Sequence, residues 1–297
     1  MSDVTANLLL DKRSLRASFE RAATSYDEAA VLQRAIADRM LERLDVVKLV
    51  PASVLDIGSG TGYVARALMR RYPHARLHAA DLAHAMVRQA RTHTRWRRWL
   101  ARTPGAFVCA DLECLPFAGA SFNMIVSNLT LQWCDPVTVF AECRRALHPG
   151  GLFMFTTFGP DTLAELRAAW HAVDERPHVH GFPDMHDLGD LLVRAGFAEP
   201  VMDVERFTLT YADVLDVLRD LKRLGAHNAA HGRARGLTGK TSFRRFKQAY
   251  EAMRVDGRIP ATYEAVYGLA WAPETAPQRA ADGAMAIPLA DIRRKPR

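Results

Sequence analysis

VLDIGSGTG, residues 54–62, reads as an apolar strand running into a glycine turn and then a helix. Glycine stands at Gly58, Gly60 and Gly62 and an acid at Asp56, so the pattern is D-x-G-x-G-x-G. The dinucleotide pattern G-x-G-x-x-G would need glycine where Tyr63 stands. A pyrophosphate asks for a helix N-terminus at the turn. This spacing instead suits a ligand without phosphate, to which glycines let the backbone come close while Asp56 offers a carboxylate.

Outward from that turn, apolar runs of strand length alternate with helical periodicity, which predicts βαβ units and a parallel sheet. Strands are expected at 53–57, 76–80, 106–109, 122–127 and 152–157. Helices are expected at 61–72, 84–99 and 136–147, the last stopped by the HPGG of residues 148–151. Further helices start near 162 and span 185–195, and strands follow at 201–209 and 262–271. The fifty residues between those two strands far exceed the usual connection of roughly 2 to 6 residues, which points to a functional cap. Before the first strand, Leu15, Phe19, Ala22, Tyr26, Leu32, Ile36 and Met40 fall at helical spacing. The expected organisation is an N-terminal helical cap at 1–50, an α/β domain at 51–282 with a helical insert at about 211–256, and a flexible basic tail at 283–297. With 297 residues, 49% of them apolar, there is room for one large α/β domain.

Two more acids follow the next strands: Asp81 in HAAD and Asp111 in ADLECLPF. Acids at three successive strand ends would share the sheet edge where open α/β folds bind ligands. Asp81 could accept from two ribose hydroxyls and Asp111 from an adenine amino group, with Leu82 and Leu112 against the ring. The constellation resembles the class I methyltransferase family across residues 53–157. That resemblance implies a Rossmann-like doubly wound sheet, mostly parallel with one antiparallel strand near the C-terminus, and S-adenosyl-L-methionine as cofactor. It also implies that Asp56 meets the cofactor's ammonium and that Ser127, Asn128 and Leu129 of SNLTLQWC line the transfer site.

FERAATSYDEAAVLQRAIADRMLERL, SNLTLQWC, FGPDTLAELRAAW, DLKRLGAHNAAHGR and GRIPATYEAVYG are together similar to the malonyl-acyl-carrier-protein O-methyltransferase family of biotin synthesis, over nearly the whole chain. The resemblance implies that Tyr26 folds over the cofactor and that the insert receives a malonyl-phosphopantetheine arm on acyl carrier protein, or malonyl-CoA. A malonyl carboxylate, with a reference pKa near ~4, is already ionised at neutral pH, so no catalytic acid or base is assigned. A positive group is still wanted to orient it, and Arg21, Lys222, Arg223, His227 and Asn228 are the candidates.

The net charge of +7 concentrates in two stretches: six arginines and no acid over 88–102, and nine Lys or Arg against Asp220 over 219–247. The second suits an acidic carrier protein. Cys109, Cys114, Cys134 and Cys143 form no CxxC pair, so neither zinc nor a disulfide framework is expected. No apolar run nears the roughly 18 residues that span a bilayer and no secretory signal is evident, so a cytoplasmic protein without membrane contact is expected.

Two other readings compete. GRIPATY, PATYEAVYGLAW and WAPETAPQRA are also similar to a mitochondrial complex I assembly factor that hydroxylates an arginine. Such chemistry usually needs iron on two histidines and a carboxylate. His178, His180, Asp184 and His186 match no recognised facial triad and read as satisfied loop side chains, so no metal is expected. Arg95, Trp96, Arg97, Arg98 and Trp99 could stack bases in an RNA-binding or RNA-modifying methyltransferase. SNLT in place of an NPPY-type motif argues against base-amine methylation, and no nucleic-acid partner is expected.

Overall fold

Strand and helix alternate along the chain as the periodicity predicts, in a computed structural model that describes residues 11–100, 105–226, 238–274, 278–279 and 285–286. The central strand β1 (Ser53–Ile57) is flanked by β2 (Arg76–Asp81) and β3 (Phe107–Cys109) on one side. On the other side lie β4 (Phe122–Asn128), β5 (Leu147–Phe158), β7 (Ile259–Trp271) and β6 (Ala198–Tyr211), giving the order β3-β2-β1-β4-β5-β7-β6. Strands β1 to β5 run parallel, and β7 is antiparallel to both its neighbours.

β1 is buried on both faces, as a parallel strand under two helical layers must be. Its residues alternate between two cores. Val54 joins Ile36, Met40, Leu68 and Tyr250, whereas Leu55 and Ile57 join Phe140, Phe153, Phe155 and Leu188. Helices α4 (Tyr63–Arg71), α5 (His84–Leu100) and α6 (Pro136–Ala146) make the crossovers, and α7 (Ala164–His171) and α8 (Met185–Arg194) follow β5. The edge strand β6 alternates half-buried and exposed residues, the pattern of a sheet margin with one solvated face.

Several expected boundaries move, β6 and β7 each starting three residues early among them. The helix expected from 61 begins at Tyr63, because Gly62 takes a left-handed φ of 83° that no helix can hold. HPGG does not stop a helix. α6 is over by Ala146, Leu147 is already extended, and HPGG opens β5 five residues earlier than expected. Gly150 at φ 71° donates its N–H to Ala272 O at 2.8 Å, so these glycines shape strand pairing.

At the N-terminus α1 (Lys12–Ala22), α2 (Tyr26–Ala29) and α3 (Val31–Arg43) precede the sheet. Ile36 and Met40 of α3 are wholly buried against it. α1 is pinned by Glu20, whose carboxylate accepts from His84 N at 2.7 Å and Ala85 N at 2.8 Å, capping α5 where the helix dipole favours an anion. Of the insert, α9 (Val214–Arg223) and α10 (Lys240–Glu251) are described. α10 is tied to the body by Phe246 stacked on Trp170 at 4.1 Å and by Tyr250 Oη donating to Pro260 O at 2.9 Å. Met285–Ala286, within the expected tail, pairs antiparallel with Gln278–Arg279.

Candidate active site

The strand order reverses between β1 and β4, and a crevice opens there at the carboxyl ends of the strands. The glycine turn is its floor. Gly58 N and Ser59 N donate to Ala80 O at 2.8 and 3.0 Å, and Gly60 N donates to Asp81 Oδ2 at 2.9 Å. The three glycines differ in what they face. A Cβ on Gly58 would meet Thr130 Oγ1 at 2.0 Å and one on Gly62 would meet Ala90 Cβ at 2.9 Å, whereas one on Gly60 finds only Tyr26 Cε1 at 4.0 Å. Gly60 therefore presents bare backbone to the crevice, and Gly62 lets α4 approach α5 without lining the crevice at all.

Asp56 does not end its strand; Ile57 does. Its side chain is 1% exposed, and its Oδ2 has no hydrogen-bond partner. Burial pushes this carboxyl up to about 8, with the Ala65 amide opposing and the Asp81 charge adding. Asp81 is pushed up to about 6, again by burial, against the Ala83 and Gly60 amides that donate to it. Asp111 is engaged. Lys12 Nζ sits 2.6 Å from its Oδ2 and 2.6 Å from Glu113 Oε2, and Glu113 N donates to Asp111 Oδ1 at 3.0 Å.

Leu82, Met86, Leu112 and Leu129 form apolar walls, and Leu15, Phe19 and Tyr26 from the N-terminal helices roof a volume of about 620 Å³. A polar lobe continues past Asp56, Gln33, Arg34, Ser59 and Thr61, sharing Tyr26, Gly58, Gly60 and Asn128 with the first. The Tyr26 hydroxyl is raised well above its ordinary range by burial and by Asp81 and Asp27. Asn128 lines both lobes while its amide donates to Gln33 O at 3.1 Å and accepts from Thr156 Oγ1 at 2.8 Å, tying α3, β4 and β5 together. Ser127 lies outside both lobes, its hydroxyl buried and without a partner.

The other candidates separate. Arg21, Lys222 and Arg223 line, with Arg219, a distinct open cleft between α1 and α9 that shares no described residue with the crevice. They line no part of the crevice, where groups expected to orient the acceptor carboxylate would stand. The outward face of α9 carries Arg219, Lys222 and Arg223, and Arg21 faces them from α1, while Leu221 and Leu224 point inward. His227 and Asn228 lie outside the described residues, as do the side chains of Arg95 to Trp99. Lys12, Phe19, Gln33, Met86 and Trp133 border the site without having been expected there. Phe19 alone had a signal, its place on the helical stripe of residues 15–26.

Nor do the four loop side chains converge. His178 stacks on Trp170 at 3.9 Å and bonds Asp174 at 2.8 Å, Asp184 caps α8 through His186 N, and His180 packs against Trp133 and Phe182. Among the described residues no group of three His, Cys, Asp or Glu could hold a metal ion.

Sheet order, switch-point crevice and acid-glycine turn define a class I methyltransferase, and residues 55–155 match the family model described as a methyltransferase domain. The chain belongs to the malonyl-[acyl-carrier protein] O-methyltransferase family. It is 55% identical over 284 residues to the protein of that name from Laribacter hongkongensis, covering 94% of this chain and 95% of the relative. Against the protein of the same name from Gallionella capsiferriformans the figures are 51% over 283 residues, 94% and 96%. The fold is also that of the YcgJ protein of Bacillus subtilis, with a TM-score of 0.57 at 16% identity over 80% of this chain and 99% of that one. S-adenosylmethionine is the methyl donor of this class. The crevice fits it in the unsatisfied Asp56 oxygen, the bare face of Gly60 and the paired apolar walls.

Proposed function

We propose that this protein esterifies the free carboxylate of a malonyl group carried on acyl carrier protein, at the start of the pimeloyl chain of biotin, and that it does so in the cytoplasm. The carrying observation is the crevice, where Asp56 Oδ2 lies buried and unpartnered beside the open face of Gly60 and the Asp81 carboxylate. The relatives' name supplies the acceptor. The four cysteines are free, which suits a reducing compartment, and no helix among the described residues is long and apolar enough to cross a membrane.

In this reading Asp81 accepts from the ribose hydroxyls, Leu82, Met86 and Leu112 enclose the adenine, and Asp111 takes its amino group with the lone pairs Lys12 leaves free. Asp56 faces the ammonium. A buried acid raised to about 8 is neutral until a cation arrives, and then ionises against it. Tyr26 closes the roof and Asn128 holds the end of β4 beside the methyl group.

When bound, S-adenosylmethionine supplies a methyl carbon on a cationic sulfur. A carboxylate held in line would give a lone pair to that carbon, the carbon–sulfur bond returning its electrons to sulfur. One negative and one positive charge cancel, and no proton moves. Among the described residues no histidine lines the crevice, and burial raises the Cys134 thiol far above its ordinary range, so it stays protonated and does not compete for the methyl. What the protein contributes is an aligned, dry approach, worth up to roughly 7 to 11 kcal/mol.

Incubation with methyl-labelled S-adenosylmethionine and malonyl-acyl carrier protein should yield a labelled, base-labile ester on the thioester. Labelled RNA or protein arginine instead would overturn the reading, and malonyl-CoA in a parallel arm reports whether the carrier is required.

The basic cleft has its own role here. Among the described residues only Arg219 of its four cations has a carboxylate partner, Asp216 at 2.7 Å, which leaves Arg21, Lys222 and Arg223 to an acidic carrier. The double variant Lys222→Glu/Arg223→Glu should lower kcat/KM for malonyl carrier protein about 10- to 100-fold at low salt. The loss should shrink as salt screens the encounter. Equal kinetics at all salt concentrations would dissociate the cleft from the carrier.

A further inference from the structure

Next to the crevice lies a second chamber of about 560 Å³, walled by Phe158, Leu166, Phe182, Leu221, Leu224 and Tyr263. It forms where α7, the 178–182 loop, β7 and the inner face of α9 meet. Trp133 lines both this chamber and the apolar lobe of the crevice, and Gln33 joins it to the polar lobe. The cavities are therefore neighbours across single side chains.

The polar groups at its border are not all at rest. His178 is bonded to Asp174, Thr162 exchanges hydrogen bonds with the backbone of Glu264, and Tyr263 bonds Tyr211. In contrast His180 Nε2 and Gln33 Oε1 are buried with no partner. His180 is 6% exposed, its ring 4.9 Å from Trp133 and 4.6 Å from Phe182 between centroids. A buried polar atom without a partner has lost its water and gained nothing for it. Where such an atom borders a cavity beside a reaction site, a ligand is the partner that would satisfy it.

Building on the acceptor proposed above, we infer that this chamber receives the malonyl end of the substrate and that His180 orients its carboxylate by donating an imidazole N–H to one oxygen. The other oxygen then faces the methyl carbon past Trp133.

The chemistry favours a neutral donor over the cations of the outer cleft. Methylation turns a carboxylate into a neutral ester. A lysine or arginine in contact would clamp the attacking lone pairs and be left as an unpaired buried charge in the product complex. His180 escapes this, since burial, and then the nearby Arg167 charge, push it down to about 4. Arg167 itself is held by Pro160 O at 3.0 Å and Thr162 O at 2.9 Å, and lends positive potential from behind the wall.

His180→Phe keeps an aromatic ring between Trp133 and Phe182 and removes the N–H; His180→Gln restores a donor. His180→Phe should lower kcat/KM for the malonyl thioester about 10- to 100-fold with the affinity for S-adenosylhomocysteine unchanged, and His180→Gln should recover much of the loss. Leu221→Trp fills the chamber and should abolish transfer while the cofactor still binds. Wild-type kcat/KM in His180→Phe overturns the inference, as does a loss matched by cofactor affinity. If that variant does not fold, wild-type transfer by Leu221→Trp overturns it instead. Failure of the wild-type protein to label any malonyl thioester sinks the acceptor assignment itself, a result distinct from a silent His180 in an active enzyme.

Discussion

Asp81→Asn is expected to weaken the binding of S-adenosylhomocysteine about 100-fold, measured by titration calorimetry on protein shown to be folded by circular dichroism. Two hydrogen bonds to an ionised acceptor contribute on the order of 1.5 to 3 kcal/mol each, and an amide can replace at most part of that. The side chain also braces the turn, since its two oxygens accept from Gly60 N and Ala83 N at 2.9 Å each. Some stability is therefore lost as well, because the amide turns an N–H toward one of those donors. The pH dependence separates the two effects. Burial raises Asp81 to about 6 in the unliganded site, so the acceptor form is present above that pH and is protonated below it. Asp56 contributes a fall in affinity toward low pH that both proteins share, so between pH 7 and pH 5 the wild-type affinity should fall about tenfold more than that of the asparagine variant, which has nothing to titrate at position 81. Equal affinity of the two proteins at pH 7.5 would remove Asp81 from the cofactor site.

How much of this site could be read in the chain depends on whether its parts are local. The turn and the acids at the C-terminal ends of β1 and β2 belong to the strands that place them or lie within a few residues of them, so spacing alone brought Asp56, Gly60 and Asp81 to one crevice. β1 itself falls on the residues expected of it, 53–57. Parts brought in by packing were not legible. Lys12 reaches Asp111 across 99 positions of sequence, and Gln33 and Trp133 border the crevice only because α3 and the turn after β4 fold over it. The basic residues of α9 misled for another reason. Charge density says that a helix meets an anion but not which cavity it meets. Yet the helix period held the answer, because Leu221 and Leu224, three apart, mark the inward face and leave Arg219, Lys222 and Arg223 facing out. His180 was hidden differently again. A loop histidine among aromatics looks satisfied in sequence, and only the missing partner at Nε2 says otherwise.

Gly60→Ala should abolish measurable cofactor binding while leaving the protein folded, and Gly62→Ala should do nearly the reverse. Both glycines sit at positive φ, 52° and 83°, so each alanine bears a left-handed backbone cost of about 1 to 2 kcal/mol. The space around them differs. At Gly60 the new methyl finds nothing of the protein within 4 Å except the Tyr26 ring at 4.0 Å, so the fold accepts it, but it projects into the crevice where the donor must approach the backbone. A methyl group in a close-packed ligand contact forces the ligand off its hydrogen bonds to Asp81, and a loss of 100-fold or more follows on the order of the two bonds broken. At Gly62 the methyl falls 2.9 Å from Ala90 Cβ and 3.1 Å from Ala90 Cα, against a helix backbone that cannot swing aside. Overpacking of about 1 to 3 kcal/mol then adds to the backbone cost. In a chain of this size that lowers Tm by several degrees, roughly 2 to 4 °C for each kcal/mol. Since Gly62 does not line the crevice, the folded fraction of that variant should bind S-adenosylhomocysteine with close to wild-type affinity. Thermal denaturation and calorimetry on the pair distinguish the glycine that serves the ligand from the glycine that serves the fold. Parallel losses in both measurements for both variants would mean that the turn acts as one rigid unit and that the bare face of Gly60 is not what admits the cofactor.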